Sequence, residues 1–120
     1  MQLEISLKVE IKQQDVDDIM VTALEGGITY WCDECKVDGE YLGKYASDQI
    51  SRGGTLRLHE IDGDWKVLTL DKFLKGLTTY IKNHGGVELF YDNELDVGNI
   101  DADAADSIIQ YALFDDIVYG

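Results

Sequence analysis

Proline is absent from this chain of 120 residues, and lysine and arginine together occur only ten times. Without proline, no cis-proline can shape a site, and tight turns must be formed by the 12 glycines or by Asp and Asn. The few basic residues stand against 24 Asp and Glu and leave a formal net charge of −14. Because binding to phosphates draws on Lys and Arg, direct contact with nucleic acid or an anionic membrane is disfavoured, and a basic protein partner is favoured.

Long apolar runs are also missing. No apolar stretch reaches the 18 or so residues of a membrane-spanning helix, and the N-terminal sequence MQLEISLKVEIK lacks the basic and apolar regions of a signal peptide. We therefore expect a cytosolic protein whose two cysteines are reduced. With 45% hydrophobic residues, the chain is expected to fold as a single domain, residues 1–120, around one core.

The stretch 53–86 predicts a β-hairpin that leads directly into an amphipathic helix. Leu56 and Leu58 alternate with polar residues on the first strand, and Leu68 and Leu70 alternate with their neighbours on the second. A three-residue loop at Asp62-Gly63-Asp64 would pair Leu58 with Leu68 and Leu56 with Leu70. We favour it over a two-residue turn, because a slip of one residue would turn one strand's leucines to water.

The helix of this unit is expected to begin after Thr69, a good N-cap residue, and to end before Gly85 and Gly86. Its apolar residues recur at helical spacing and should face the same layer as the strand leucines. They are Phe73, Leu74, Leu77, Tyr80 and Ile81.

The N-terminal half predicts a strand, a helix and a second strand. Strict alternation marks residues 3–11 as a one-sided strand, and Asp15 is expected to cap a helix that ends at Gly26-Gly27. Residues 28–37 are favoured as a strand, and a helical turn followed by a short strand is the alternative. A loop at 38–44 and one or two helical turns at 46–52 follow.

After the central unit, the pattern predicts a strand at 87–91, a polar loop at 92–99, a helix at 101–113 capped by Asp101, and a last edge strand at 117–119. The strands and helices do not alternate regularly. The sequence therefore predicts an α+β domain, with about three helices packed on one face of a mostly antiparallel sheet.

Cys32 and Cys35 lie in a Trp-Cys-x-x-Cys-Lys motif, which is similar to the redox motif of thioredoxin-type oxidoreductases. Its acidic neighbours would raise the thiol pKa, and the missing proline removes the cis-proline that faces the thiols in that fold. The same thiols could supply two zinc ligands, with His59 and His84 completing the site. We predict that both cysteines are ordinary small apolar residues, and a metal- or thiol-dependent small enzyme around them is the alternative.

Residues 92–103 resemble a calcium-binding EF-hand loop that is out of step by one residue. Counted from Asp92, the glycine falls at loop position 7 and the isoleucine at position 9, and Asp103 replaces the bidentate Glu at position 12. We predict a solvated loop, with a degenerate calcium site as the alternative. The chain contains neither an activated-serine motif nor a phosphate-binding glycine loop, so we predict no catalytic residue, no cofactor and no metal.

The C-terminal third carries charge of only one sign. After Lys82 no Lys or Arg occurs, while nine acids remain. A solvated surface is the simpler explanation, but like charges at close spacing repel one another, and a basic protein groove would offset that cost. The predicted partner-binding residues are Glu88, Asp92, Glu94, Asp96, Asp101, Asp103, Asp106, Asp115 and Asp116.

Three blocks carry a resemblance, namely YLGKYASDQISRGGTL, LTLDKFLKGL and IDADAADSIIQYALFDDIVYG. Together they resemble a group of small proteins of phages, prophages and other mobile elements of Firmicutes-type bacteria. The resemblance implies a setting in the bacterial host cytoplasm and brings no catalytic residues. As a class, small acidic phage proteins resemble inhibitors of host defence, such as anti-CRISPR proteins, and some of those imitate DNA.

The leading hypothesis is therefore a non-enzymatic phage-borne inhibitor whose acidic end occupies the nucleic-acid groove of a bacterial defence nuclease. A homodimeric accessory protein of a mobile element is a further alternative, because an unprotected edge strand at 117–119 would invite pairing with a second copy.

Overall fold

The computed structural model describes residues 1–2, 9–84, 90–91 and 94–120. Most of the strand predicted at 3–11 lies outside these ranges, as do Gly85, Gly86 and the first part of the strand predicted at 87–91.

The described residues form an α+β domain, as predicted. The helices are α1 (Gln13–Thr22), α2 (Leu70–Asn83) and α3 (Ala102–Phe114), and a π-helical turn at Ala23–Gly27 extends α1. The strands are β1 (Cys32–Asp38), β2 (Thr55–Glu60), β3 (Trp65–Leu68), β4 (Phe90–Tyr91) and β5 (Glu94–Leu95). Strands β1, β2 and β3 form one antiparallel sheet in that order, and β4 pairs with β5 in a separate hairpin. None of the helices in the described ranges has the length and apolarity needed to cross a membrane.

The three-stranded sheet is apolar on one face and polar on the other. Leu56, Leu58 and Leu68 point to the inner face and are fully buried. Arg57 and Val67 pair across β2 and β3 on the outer face, and both are exposed. Because the core joins the inner leucines to side chains from all three helices, the described helices lie on one face of the sheet, as predicted.

The hairpin between β2 and β3 has a three-residue loop, but the loop occupies 61–63, one residue earlier than predicted. Leu56 pairs with Leu68, not with Leu70. The predicted pairing of Leu58 with Leu68 is likewise wrong by two residues. A shift of two residues keeps each strand side chain on its expected face, so the strand leucines are still buried.

Backbone conformation explains the position of this loop. Asp62 has the left-handed conformation, with φ 58°, which Asp tolerates better than most residues. The Gly63 amide donates to the Glu60 carbonyl over 3.0 Å, and a Cβ at Gly63 would lie 3.0 Å from the Glu60 Cβ. A side chain at position 63 would thus be tightly packed against Glu60, and the positive φ of the loop belongs to Asp62.

Helix α2 begins after Thr69, as predicted, because the Thr69 hydroxyl accepts the Lys72 amide over 3.3 Å. Phe73 and Leu77 are buried in the core. Leu74, which was expected on the same apolar face, is 37% exposed. The buried stripe of α2 is thus narrower than the sequence pattern indicates, with Leu74 outside it.

Helix α1 begins at Gln13, with Lys12 as the N-cap residue, so the prediction that Asp15 caps the helix is wrong. The Asp15 carboxylate still satisfies the helix end, since it accepts the Lys12 amide over 2.9 Å from the third helical position. The π-helical turn ends at Gly27, where a glycine pair was expected to stop the helix.

Residues 28–31 form a helical turn, and β1 begins only at Cys32. The Cys32 amide donates to the Ile28 carbonyl over 2.8 Å. Ile28 and Trp31 are both buried, whereas Tyr30 between them is exposed. A spacing of three residues puts two side chains on one side of a helical turn but on opposite faces of a strand. The favoured prediction of one continuous strand is therefore wrong, and the alternative, a turn followed by a short strand, is correct.

Helices α2 and α3 pack against each other at Gly76. A Cβ at this position would lie 2.5 Å from the Ile108 carbonyl oxygen and 2.7 Å from the Ala112 amide nitrogen. Both are backbone atoms of α3, which cannot swing aside as a flexible side chain can. Gly76 therefore sets the distance between the two helices, although glycine lowers the stability of a helix interior by about 1 kcal/mol.

Leu77→Ala and Leu74→Ala remove the same atoms from two positions of α2 that differ in burial, 2% and 37% exposed. We expect Leu77→Ala to lower the free energy of unfolding by about 2–5 kcal/mol, because it leaves a cavity in the core. Leu74→Ala should cost less than about 1 kcal/mol. Urea denaturation followed by circular dichroism measures both losses. Equal losses would contradict the packing of α2 described above.

Gly76→Ala separates helix propensity from packing. Propensity alone would stabilise α2 by about 1 kcal/mol, but we expect a net loss of about 1–3 kcal/mol, because the added methyl group meets the α3 backbone. Gly26→Ala is the matched control, since this residue also lies in a helical turn but a Cβ there has no neighbour within 4 Å, and we expect it to leave stability unchanged or to raise it by up to about 1 kcal/mol. Thermal and urea unfolding measure both variants. A Gly76→Ala protein as stable as the parent would show that α2 and α3 are not in close contact.

Candidate functional site

Acidic side chains lie at the N-terminal end of α3. Asp101 is the N-cap residue predicted for this helix, and its carboxylate accepts the Ala104 amide over 2.8 Å. Asp103 is exposed in the first turn of α3. Asp96 is exposed in the segment before α3, and its carboxylate accepts the Gly98 amide over 3.1 Å. Negative charge at this end of a helix is stabilised by the helix dipole. We call Asp96, Asp101 and Asp103 the N-end acids.

A second acidic group lies at the other end of α3. Asp115 ends the helix in the left-handed conformation, with φ 59°, and its carboxylate lies 3.2 Å from Lys75 Nζ. Asp116 is exposed and accepts the amide of Ile117 over 2.8 Å. At 1.5 Å rise per residue, the 13-residue helix separates the two groups by about 20 Å. The predicted surface is thus two acidic ends of one helix, and Asp115 and Asp116 are the C-end acids.

Two of the predicted partner-binding residues, Glu88 and Asp92, lie outside the described ranges. Glu94 belongs to β5. The structure therefore places Asp101 and Asp103 at the N-terminal end of α3, Asp96 before the short 3₁₀ turn at Val97–Asn99, and Asp115 and Asp116 at the C-terminal end.

Asp106 is buried, which removes it from the predicted partner-binding surface. Only 9% of the residue is exposed. Its carboxylate accepts three hydrogen bonds, from the Tyr30 hydroxyl over 2.6 Å, from Trp31 Nε1 over 2.7 Å and from Gln110 Nε2 over 2.9 Å. A carboxylate that is occupied by three donors inside the fold cannot also bind a partner, so Asp106 has a structural role.

Gln110 fastens the C-terminal tail to α3. Its carbonyl oxygen accepts the amides of Val118 and Tyr119 over 2.8 and 2.9 Å, and its amide group donates to the Tyr119 carbonyl over 3.3 Å. The tail amides are therefore bonded to a side chain and not to a neighbouring strand. The edge strand predicted at 117–119 does not form, and the observation that suggested a homodimer is lost with it.

The tail ends in an aromatic cluster. Tyr119 stacks on Trp31, with ring centroids 5.2 Å apart and planes at 2°, and the Phe114 ring meets the Trp31 ring edge-on at 5.7 Å. The Tyr119 hydroxyl donates a short hydrogen bond to the Glu60 carboxylate. Through these contacts the tail joins the end of α3 to strand β2.

Tyr30 is the exposed member of the Asp106 network. Half of the residue is exposed, but its hydroxyl group lies against Asp106 and Gln110. Burial of the hydroxyl, followed by the hydrogen bond to the Asp106 carboxylate, raises the pKa of Tyr30 to about 12. The phenol is therefore held in its protonated form, in which it can donate to Asp106.

Cys32 and Cys35 line an open cleft of about 140 Å³, together with Leu24, Ile28 and Thr29 among others. This volume is below the several hundred Å³ of a typical small-molecule site. Burial raises the pKa of both thiols, that of Cys35 to about 11. Both sulfur atoms are therefore protonated near neutral pH, and neither is an activated nucleophile.

The zinc site proposed for these cysteines with His59 and His84 is not assembled. A β-bulge in β1 turns both cysteines to the inner side of the sheet, whereas His59 is on the outer face with its Nδ1 2.7 Å from Asp33 Oδ1. This hydrogen bond raises the pKa of His59. His84 stacks on Tyr80 at the end of α2, with ring centroids 4.4 Å apart. Within the described ranges, no three His, Cys, Asp or Glu side chains are placed to hold a metal ion.

The calcium alternative depends on Asp92, which lies outside the described residues.

The structure reveals a surface that the sequence pattern did not single out, in the loop before Ala46. Tyr41, Leu42 and Tyr45 are 61%, 51% and 58% exposed. Three large apolar residues within five positions of a glycine-containing loop were the available signal.

Alkaline titration tests the Asp106 network. We expect Tyr30→Phe to remove an ionisation step near pH 12, and Asp106→Asn to move that step toward the ordinary value of 10, because the carboxylate no longer opposes the phenolate. The folded pKa of Tyr30 lies above the unfolded one, so its contribution to stability is complete below pH 10 and is lost as the pH rises from about 10 to about 12.

Ultraviolet absorbance of tyrosinate measures the ionisation, and urea denaturation at several pH values measures the stability. Tyr45→Phe is the matched control, because this exposed tyrosine has no contact with Asp106, and it should leave the high step in place. If Tyr30→Phe keeps the step near pH 12, the assignment to Tyr30 is wrong.

Comparison with known protein families, with curated proteins and with solved structures gives no match to this chain. What this protein binds must therefore be inferred from its own charges and contacts.

Proposed function

We propose that this protein is a non-enzymatic acidic binding protein whose target is a basic protein surface. In its most specific form, the proposal is a phage-borne inhibitor that occupies the nucleic-acid groove of a bacterial defence nuclease, in the manner of a DNA mimic. The carrying observation is that the exposed acids at the two ends of α3 belong to a stretch without any Lys or Arg after Lys82, in a chain of net charge −14.

Three acids in the first half of the chain have structural roles. Asp17 is 6% exposed, and its carboxylate accepts the Ser51 hydroxyl over 2.5 Å. The guanidinium nitrogen of Arg52 lies 3.3 Å from the same carboxylate. Asp48 accepts two loop amides, and Asp15 closes the start of α1. Removing any of these carboxylates would leave hydrogen-bond donors or a cation without a partner. Their presence is explained by folding.

Exposed acids at the ends of α3 are less well compensated. Among the five N-end and C-end acids, Asp115 is the one with a Lys or Arg within 4.0 Å in the described residues, and that pair with Lys75 is largely exposed. An exposed ion pair contributes at most about 1 kcal/mol. The helix dipole stabilises negative charge at the N-terminal end of α3 but disfavours it at the C-terminal end, where Asp115 and Asp116 lie. Capping and the helix dipole therefore account for acids at the N-terminal end of α3, but the dipole gives no reason for Asp115 and Asp116 at the other end.

Rigidity supports the mimicry part of the proposal. Both acidic groups are attached to one helix, which is fixed at Gly76 against α2 and at Gln110 against the tail. Charges held at fixed positions about 20 Å apart resemble a nucleic-acid backbone more than a flexible acidic tail does. A rigid surface also avoids the entropy cost of ordering a flexible segment on binding. A groove lined with Lys and Arg is the complementary partner.

The remaining parts of the proposal have separate support. The phage setting is supported by the resemblance of the three sequence blocks to proteins of mobile elements. Against catalysis by the two cysteines stand their raised pKa and the size of the cleft they line, about 140 Å³, which is too small for most substrates.

Two charge-neutralised variants test the proposal against a panel of purified bacterial defence nucleases. The first replaces Asp96, Asp101, Asp103 and Asp116 by Asn, which keeps the helix cap because Asn also caps well. The second, a matched control, replaces four exposed acids elsewhere by their amides, namely Glu25, Asp62, Asp64 and Asp71. Each variant removes four negative charges, so any difference between them reports the position of the charge.

We expect the parent protein to bind one nuclease and to inhibit its cleavage of DNA. The first variant should associate at least about tenfold more slowly at low salt, and the control should stay within about threefold of the parent, because steering depends on where the charges lie. Stopped-flow or surface-based kinetics at two salt concentrations measures this. Inhibition that survives the first variant, or binding that is insensitive to salt, would contradict the acidic mechanism.

A further inference from the structure

We propose that the loop between β1 and β2 is a preformed apolar anchor, with Tyr41, Leu42 and Tyr45 as the side chains that enter a pocket on the basic partner. The inference rests on the proposed function for the charge of that partner, but the loop is separate from the acids at the ends of α3. We call these three residues the anchor residues.

Exposure is the first observation. The anchor residues are 61%, 51% and 58% exposed and lie within five consecutive positions of one loop. Folding gains little from side chains that remain in water. Tyrosine is also among the residue types that dominate binding energy at protein interfaces.

The side chains of Gln49 and Asp48 hold the backbone of this loop by hydrogen bonds, which we call the scaffold. Gln49 is 1% exposed, its carbonyl oxygen accepts the Leu42 amide over 3.0 Å, and its amide group donates to the Glu40 carbonyl over 3.0 Å. One oxygen of the Asp48 carboxylate accepts the amides of Lys44 and Tyr45 over 3.1 and 3.0 Å. The backbone that carries the anchor residues is therefore fixed by two side chains from the following helical turn.

Glycines make room for this scaffold. A Cβ at Gly43 would lie 2.5 Å from the Asp48 Cβ, and a Cβ at Gly54 would lie 2.5 Å from Gln49 Nε2. Both glycines are needed so that the scaffold side chains can reach the loop backbone. A loop held in this way presents its apolar side chains with little ordering cost on binding, which favours affinity.

Charge identifies the occupant. The segment 38–48 contains three acids, Asp38, Glu40 and Asp48, against one base, Lys44. A second copy of this chain would bring the same acidic segment and the same net charge of −14 to the contact, so self-association is opposed by repulsion. The structure therefore favours a different protein, with an apolar pocket whose rim carries Lys and Arg.

Site-specific photo-crosslinking in the bacterial host tests the inference. Full-length protein carries p-benzoylphenylalanine at position 41, at position 45 or, as the control, at Val67, which is 41% exposed on the outer face of the sheet. We expect positions 41 and 45 to capture the same protein and position 67 not to capture it. Crosslinks to a second copy of this chain, or equal capture at all three positions, would overturn the proposal.

The captured protein is then purified, and its affinity is measured for the parent, for the triple variant Tyr41→Ser, Leu42→Ser, Tyr45→Ser, and for the four-Asn variant of the α3 ends. We expect the triple variant to lose at least about 30-fold in affinity, the loss typical of hot-spot residues, with an unchanged circular dichroism spectrum and urea midpoint. If the triple variant is not folded, Tyr41→Ser alone is expected to lose about tenfold. Unchanged affinity in a folded loop variant would overturn the proposal.

The two sets of variants separate the two claims. Loss in the loop variant with normal binding by the four-Asn variant would support the anchor and refute the acidic mechanism. Loss in the four-Asn variant alone would support the acidic mechanism and refute the anchor. Binding of the parent to vesicles of anionic lipid, in the absence of any protein partner, would assign the loop to a membrane and overturn the proposal.

Discussion

The buried carboxyl group of Asp106 is the constraint on which much of this structure depends. A carboxyl group in a protein interior is strongly unfavourable unless donors surround it, and here the donors come from Tyr30, Trp31 and Gln110. The turn at 28–31 must therefore form so that two of its side chains reach α3. Gln110 in turn binds the tail amides, and the tail brings Tyr119 onto Trp31. One buried polar group thus links a turn, a helix and the C-terminus.

This arrangement divides the acidic residues into two populations. Asp15, Asp17 and Asp106 are buried and hydrogen-bonded within the fold, and their contribution is structural. The acids at the ends of α3 make local contacts, such as the cap from Asp101 to the Ala104 amide, but they remain exposed to solvent. Composition counts both populations equally, because a charge total carries no information about burial. A charge steers a partner mainly when it is exposed and unpaired, so burial decides which of the acids can take part.

Charge and apolar anchoring have different roles in a binding protein. Charged groups accelerate the encounter and select the partner by sign, whereas buried aromatic and aliphatic side chains slow dissociation. The exposed acids at the ends of α3 suit the first role, and the scaffolded loop before Ala46 suits the second. On the proposed function, the first surface would set the rate of association and the second the rate of dissociation. Neither surface requires the two thiols or the two histidines. The thiols lie on the inner side of the sheet, His59 lies on its outer face, and His84 lies at the end of α2.

Local patterns in the sequence determined the elements of this fold, because capping residues and apolar periodicity act over a few residues. For this reason the sequence predicts Thr69 and Asp101 as N-caps, and it also predicts the α+β class and the burial of Leu56, Leu58 and Leu68. Tertiary structure alone decided three other features. The hairpin pairing depends on the backbone conformation of Asp62, and the turn at 28–31 supplies hydrogen-bond donors to Asp106. The tail has an apolar sequence that suits an edge strand, but its amides donate to Gln110. Hydrogen bonds between residues 75 or more positions apart cannot be read from a local pattern. The exposure of Tyr41, Leu42 and Tyr45 belongs to the same class, since it follows from the reach of Gln49 and Asp48 and not from the apolar character of the three residues.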